Sequence, residues 1–294
     1  MERVQKVIVV AGPTASGKSD FAVKLALSLS KGLAPFIDGE IISADSRQVY
    51  KGLDIGTGKI IEGETNGIVH HMLSVYDLDE EVTVARFARD CSPIIEDIFT
   101  RNKTPIICGG TGQYIDALIY NTQLPTVAPN KKFREELEIK NSEELFEKLS
   151  IKDPARAHVI DKHNRVRVIR ALEIIESLGY VPLQENPKLK YETEMYIMNP
   201  TRQLLRERVV QRLKKRFEVG MIDEVKIVMQ RGYTSGDMKK FGLEYVTITK
   251  YLEGTITEEE MYQELTNKTM QYVKRQQTWN KKYLSFAKVI DVKE

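Results

Sequence analysis

Three short apolar runs dominate the first 110 positions: Val7–Val10, Glu40–Ala44 and Thr104–Cys108. Their length and β-branched content suit strands buried on both faces of a parallel sheet. Between them apolar residues recur at helical spacing. Phe21, Leu25 and Leu29 share one face, and a second helical pattern covers Val84–Phe99. Strand–helix alternation of this kind predicts a doubly wound α/β core, a P-loop-type parallel sheet flanked by helices. In such sheets ligands sit beyond the carboxyl ends of the strands. All three runs end in small, polar or acidic residues: Gly12, then Asp45, then Gly109-Gly110-Thr111-Gly112. The pattern therefore predicts one site built from three strand ends.

The middle of the chain changes character. Leu124–Pro129 reads as a linker. From Lys131 to about Gly179 the sequence is charged and helical, with Val168, Leu172 and Ile175 at helical spacing. Tyr191–Met198 returns to strand-like composition. Residues 121–194 are thus expected to form a mostly helical insertion between two halves of the core, 1–120 and 195–294. A basic helix is expected over Thr201–Val219, ending at Gly220. A further helix is expected over Glu258–Lys282 and a closing strand over Lys288–Val292.

Composition adds exclusions. The 294 residues are 41% hydrophobic and 29% charged, which argues against disorder or low complexity. With 44 Lys plus Arg against 42 Asp plus Glu, any nucleic-acid footprint must come from local clustering. Cys91 and Cys108 cannot make a disulfide framework and read as small buried hydrophobes. Four histidines without a Cys-x-x-Cys leave no zinc pattern, and the pair His70-His71 reads as structural. Met1–Val10 lacks a signal-peptide core, and no apolar stretch spans a bilayer. A cytoplasmic monomer without membrane contact is expected.

The octet Gly12-Pro13-Thr14-Ala15-Ser16-Gly17-Lys18-Ser19 has the form G-x-x-x-x-G-K-S between a strand and a helix. Its glycines let backbone N–H groups converge on a phosphate, and the helix aims its positive end there. Lys18 supplies a charge, and the Ser19 hydroxyl suits Mg²⁺. This predicts diphosphate or triphosphate binding. A kinase or ATPase should offer an acidic Mg²⁺ partner at the end of an apolar strand. Here the third strand ends in glycines, and the best-placed carboxylate is Asp45.

Five segments, in order, resemble the bacterial tRNA dimethylallyltransferases (tRNA isopentenyltransferases): GPTASGKS at 12–19, DSRQVYKGLDIGTGK at 45–59, ICGGTGQY at 107–114, RVIRALE at 167–173 and TMQYVKRQQTW at 269–279. The resemblance implies transfer of a dimethylallyl group from dimethylallyl diphosphate to N6 of the adenosine immediately 3′ of the anticodon. The tRNAs are those reading codons that begin with U, and Mg²⁺ assists. It also implies that the P-loop holds the donor's diphosphate, not ATP. Asp45 matches the family's general base, although capping a turn or holding Mg²⁺ stays open. Arg212, on the basic helix with Arg208, Lys215 and Arg216, matches an arginine that grips the diphosphate. Ser46, Arg47, Gln48 and Thr111, with Arg134 and the run Val166, Arg167, Val168, Ile169 and Arg170, match tRNA-contact positions. Arg165, Lys274, Arg275 and Trp279 add charge and an aromatic surface suited to splayed bases. Two departures stand out: Glu244-Tyr245 where many relatives have Gly-Tyr, and Lys59 where Ala-Lys-Pro is common. Two other readings remain. A prenyltransferase acting on free adenine nucleotides would not need a basic helical insertion. A nucleotide-dependent RNA-binding switch protein would need an acidic Mg²⁺ residue.

Overall fold

The computed structural model describes residues 5–30, 38–121, 125, 127–182 and 188–293. In chain order the first elements are β1 (Lys6–Ala11), α1 (Lys18–Ser30), β2 (Gly39–Ala44), α2 (Glu62–Thr65), β3 (His70–His71), α3 (Val84–Thr100), β4 (Thr104–Gly109) and α4 (Gly112–Ile119). Four helices follow: α5 (Lys131–Glu138), α6 (Ser142–Lys152), α7 (Pro154–Val159) and α8 (Arg165–Leu178). The chain then forms β5 (Glu192–Pro200), α9 (Arg202–Glu218), α10 (Met221–Gln230), α11 (Met238–Phe241), α12 (Leu243–Leu252), α13 (Glu258–Asn280) and β6 (Lys288–Val292).

Two compact units result: residues 1–119 with 189–294, and residues 120–188. The first holds one six-stranded sheet in the order β3-β2-β4-β1-β5-β6, all parallel. Its central strands are buried on both faces, which is why they read as unbroken apolar runs. Ile8, Val10, Ile41 and Ile106 pack against Ala22, Val23, Ala26 and Leu29 of α1. The close approach of α1 needs Gly39, where a Cβ would lie 3.2 Å from the Ala26 Cα. No helix among the described residues is long and apolar enough to cross a membrane.

The second unit is a helical cluster around Leu137, Leu145, Leu149, Leu172 and Ile175. Each helix starts on a side-chain cap, from Asn130, Asn141, Asp153 and Asn164 in turn. The last ends on Gly179 in the left-handed conformation. The unit closes earlier than the expected boundary at 194, because β5 begins at Glu192 and pairs with β1. Of the expected linker Leu124–Pro129, residues 124 and 126 lie outside the described residues. The two-residue strand β3, pairing with Ile41 and Ile42, is too short to leave a periodic signal.

At the amino end of β2, Glu40 is 2% exposed. It accepts hydrogen bonds from Arg101, one at 2.8 Å, and lies 2.9 Å from Lys103 Nζ and 2.7 Å from His71 Nε2. Arg101 above all, then Lys103 and His71, holds this carboxyl well below the usual carboxylate range. A depressed folded pKa contributes stability that is complete above the ordinary value and is lost as pH falls below it. Glu40→Gln should therefore cost about 2–3 kcal/mol at pH 7. That gap should shrink as pH falls below about 4.5, the ordinary carboxylate value. Urea unfolding at stepped pH checks this; a gap constant down to pH ~3 would contradict it.

Candidate active site

The P-loop sits where β1 turns into α1. Ala15 and Gly17 adopt φ of 62° and 82°, the left-handed turn that points successive N–H groups inward. Ser16 N–H donates to Pro13 O at 3.2 Å, and Lys18 Nζ folds back to Pro13 O at 3.4 Å. Burial lowers the Lys18 pKa, partly offset by Cys108 and Asp45. Beneath it the Cys108 thiol, 7% exposed, is raised to about 11 by its own burial.

The other two strand ends are locked to each other. A Cβ on Gly109 would lie 2.2 Å from Ala44 O, so no side chain fits there. The acidic residue that NTPases carry on such a strand end has no room at this position. Past the glycines, Thr111 N–H donates to Ala44 O at 3.2 Å. The Thr111 hydroxyl oxygen accepts from Ser46 N–H at 3.1 Å. Asp45 Oδ1 accepts from Arg47 N–H at 2.9 Å, a side-chain turn that fixes the carboxylate at the end of β2.

These ends open on a cavity of about 340 Å³. Lys18, Asp45, Arg47, Arg212, Arg216 and Glu244 are its charged walls, with Arg275 on the α13 side. Arg212 has accessible surface because the cavity is open, yet the enclosing protein, with Arg216 beside it, depresses its pKa to about 10. Burial pushes Glu244 up, against the pull of Arg216 at 3.7 Å. The structure thus brings together Thr14, Ala15, Lys18, Asp45, Ser46, Arg47, Thr111 and Arg212 around one space. Gln48 lies just behind, its amide donating to Gly58 O at 3.2 Å and accepting from Ser43 Oγ at 3.3 Å. Ser19 lines a smaller chamber with Lys18 and Asp45.

Within the helical unit the expected RNA-contact run divides. Val166, 77% exposed, and Arg167 face solvent. Val168 and Ile169, also expected as tRNA-contact positions, turn their side chains into the unit's core, which leaves only their backbone for such a contact. Arg134 and Arg170 both bond the buried Glu173, and Arg170 also donates to Val127 O at 2.8 Å. Trp279 packs edge-on against Gly112 instead of standing free, and Lys282 lies 4.1 Å above its ring.

Sequence reasoning gave no role to Tyr272 and Gln276 and marked Glu244 only as a departure from relatives, yet all three line this site. The first two lie on α13 at spacings that share a face with Thr269 and Trp279, a signal present in the segment 269–279. Gln276, 5% exposed, joins two loops. Its Oε1 accepts from Thr14 N–H at 2.8 Å and its Nε2 donates to Gly110 O at 3.0 Å.

A parallel sheet whose first strand ends in a phosphate cradle, opening on a basic cavity that holds a fixed carboxylate, defines a P-loop α/β enzyme. The model for the IPP transferase family matches residues 48–283. A tRNA dimethylallyltransferase of Thermoanaerobacter sp. is 38% identical over 289 residues, covering 95% of this chain and 89% of that protein. One from Caldicellulosiruptor saccharolyticus is 38% identical over 291 residues, covering 95% and 90%. Among solved structures, the full-length tRNA isopentenylpyrophosphate transferase of Bacillus halodurans superposes with a TM-score of 0.71 at 34% identity, covering 98% of this chain and 90% of that one. A eukaryotic dimethylallyltransferase acting on tRNA superposes at 0.80 with 27% identity, covering 98% and 74%. The chain belongs to the IPP transferase family.

Replacing Gln276 by Leu would keep the packing but strand the Thr14 N–H and the Gly110 carbonyl. Both groups are half-buried, so each left unpaired costs toward the low end of about 1–3 kcal/mol. The variant should lose about 2 kcal/mol of stability by urea unfolding. An unchanged midpoint would show that the bridge carries no weight.

Proposed function

We propose that this protein transfers a dimethylallyl group from dimethylallyl diphosphate to N6 of the adenosine immediately 3′ of the anticodon, in tRNAs reading codons that begin with U. The observation that carries this is the placement of Asp45 and the P-loop on one cavity, beside a strand end with no room for an acidic side chain. The donor's diphosphate lies on the P-loop from Gly12 to Ser19, against Lys18 and Arg212. As the allylic C1–O bond breaks, its electron pair stays on the diphosphate, where the two cations stabilise it. The N6 lone pair forms the new bond to C1, and the N6 proton passes to Asp45. Adenine N6 is a weak nucleophile because its lone pair is delocalised, so removing that proton during bond formation lowers the barrier.

Mg²⁺ on the diphosphate would be held by the Ser19 hydroxyl and supply further positive charge. Among the described residues no group of three or more His, Cys, Asp or Glu could hold a metal. Ser19, which lines the small chamber beside Lys18 and Asp45, would be the residue of this chain that holds the ion. Ser46, Arg47, Gln48 and Thr111 border the base-binding side. The helical unit grips the anticodon stem-loop through Val166 and Arg167. Arg134 and Arg170, both bonded to Glu173, shape that surface from beneath. The target base leaves its stack to reach Asp45, at a cost of a few kcal/mol that is smallest in a loop.

Asp45→Asn removes the base but keeps its size. Single-turnover transfer should fall by about 10²–10⁴ with donor binding little changed. If Asp45 held Mg²⁺ instead, donor affinity would fall and added Mg²⁺ would restore activity. A near-normal rate would remove the base assignment. Lys18→Ala should keep the fold by circular dichroism and weaken donor binding, while dimethylallyl diphosphate should outcompete ATP on the unaltered protein. Robust ATP hydrolysis without RNA would reverse the choice of donor.

A further inference from the structure

On α10, behind the cavity wall, a carboxylate that takes no part in the proposed chemistry makes four hydrogen bonds. Glu224 Oε2 accepts from the N–H groups of Asp54 and Ile55, each at 2.8 Å. Its Oε1 accepts from Gly56 N–H at 2.8 Å and from the Tyr245 hydroxyl at 2.6 Å. Three successive N–H groups converging on one anion form the kind of concavity that binds free phosphate elsewhere. Here the protein fills it with its own side chain. Tyr245, fully buried, closes the far side, so close that a Cβ on Gly56 would lie 2.8 Å from its ring and hydroxyl.

What this turn carries is specific. Gly56 O accepts from Arg216 Nη1 at 3.3 Å. At Gly58, with φ of 59°, a Cβ would lie 1.7 Å from Arg216 Nη2 and 3.1 Å from Arg212 Nη2. Both guanidiniums therefore rest on the bare backbone of this glycine. Thr57, between them, lines the cavity. Arg212 and Arg216 are like charges held side by side on the wall of one cavity. Without a fixed seat they would relieve their repulsion by separating.

We infer that Glu224 is a positioning residue for the diphosphate site: by clamping the turn at Asp54–Gly56 it fixes Gly56 and Gly58 as the seat of Arg216 and Arg212. This rests on the proposed reading in taking the cavity's anion to be a diphosphate. The role differs from general support of the fold, because its consequence is read in anion affinity.

The test uses the full chain without RNA and measures dissociation constants for dimethylallyl diphosphate and for inorganic pyrophosphate by calorimetry. Glu224→Gln keeps the shape but turns an amide N–H₂ toward backbone donors. It should weaken both ligands by about tenfold, equivalent to about 1.4 kcal/mol. Tyr245→Phe, which removes only the fourth bond, should change neither by more than about twofold. In an Arg216→Gln background the effect of Glu224→Gln should shrink to about threefold or less, since the guanidinium that bonds the clamped turn directly is gone and only Arg212 is left to be seated. A folded Glu224→Gln protein that binds both ligands within about twofold of the unaltered chain overturns the inference. So does a tenfold effect that persists undiminished in the Arg216→Gln background. Should Glu224→Gln not fold, Glu224→Asp, which withdraws the charge by one methylene, is judged by the same limits. If pyrophosphate binds with the Glu224 dependence and dimethylallyl diphosphate does not bind, the donor assignment fails while the clamp stands. Binding of neither ligand by the unaltered chain overturns both.

Discussion

The site depends on how closely the backbones of β2 and β4 run at their carboxyl ends. At Gly109 that approach leaves no room for a Cβ against Ala44. From this contact the neighbouring geometry follows. Thr111 reaches back to Ala44 and to Ser46, so the Gly-Gly-Thr-Gly turn and the Asp45 turn move as one piece. Gln276 then ties the same turn to the P-loop through Gly110 and Thr14. Three strand ends distant in sequence are thereby joined into one rim around the cavity.

The rim is also where like charge is concentrated at a cost to the fold. Lys18, Arg212 and Arg216 line one cavity, and the pKa values of Lys18 and Arg212 are lowered chiefly by loss of hydration. Cations so placed favour an anion in the cavity. Asp45 and Glu244 supply the opposite sign on the same wall. The strain is borne by backbone as well as by side chains: Ala15 holds a left-handed conformation unusual for a residue with a Cβ.

Much of this arrangement is legible in the amino-acid sequence. The strands β1, β2 and β4, buried on both faces, leave apolar runs of the right length, and the octet at 12–19 lies where a P-loop must. Asp45 stands out because its strand ends on it. The parts that are not legible share a physical cause: they depend on tertiary contacts between residues far apart in sequence. Glu224 reaches residues 168–170 positions away. Gln276 reaches Thr14 across 262. No local periodicity encodes either. In the helical unit the spacing of Val168, Leu172 and Ile175 marks the inward face of α8, but the engagement of Arg134 and Arg170 by Glu173 leaves no such signal. The insertion boundary is expected at 194 although Tyr191–Met198 already reads as strand-like; pairing of β5 with β1 from Glu192 onward places that strand wholly in the core.

The central claim is that the phosphate cradle activates an allylic diphosphate toward an extruded adenine. The most direct measurement incubates the protein with isotopically labelled dimethylallyl diphosphate and an anticodon stem-loop RNA, then digests the RNA and identifies the labelled nucleoside by mass spectrometry. The account predicts label on N6 of the adenosine immediately 3′ of the anticodon, one diphosphate released per transfer, and no label when that adenosine is replaced by guanosine. Label on free adenine nucleotides, or an unlabelled RNA under conditions where the donor is bound, would contradict it.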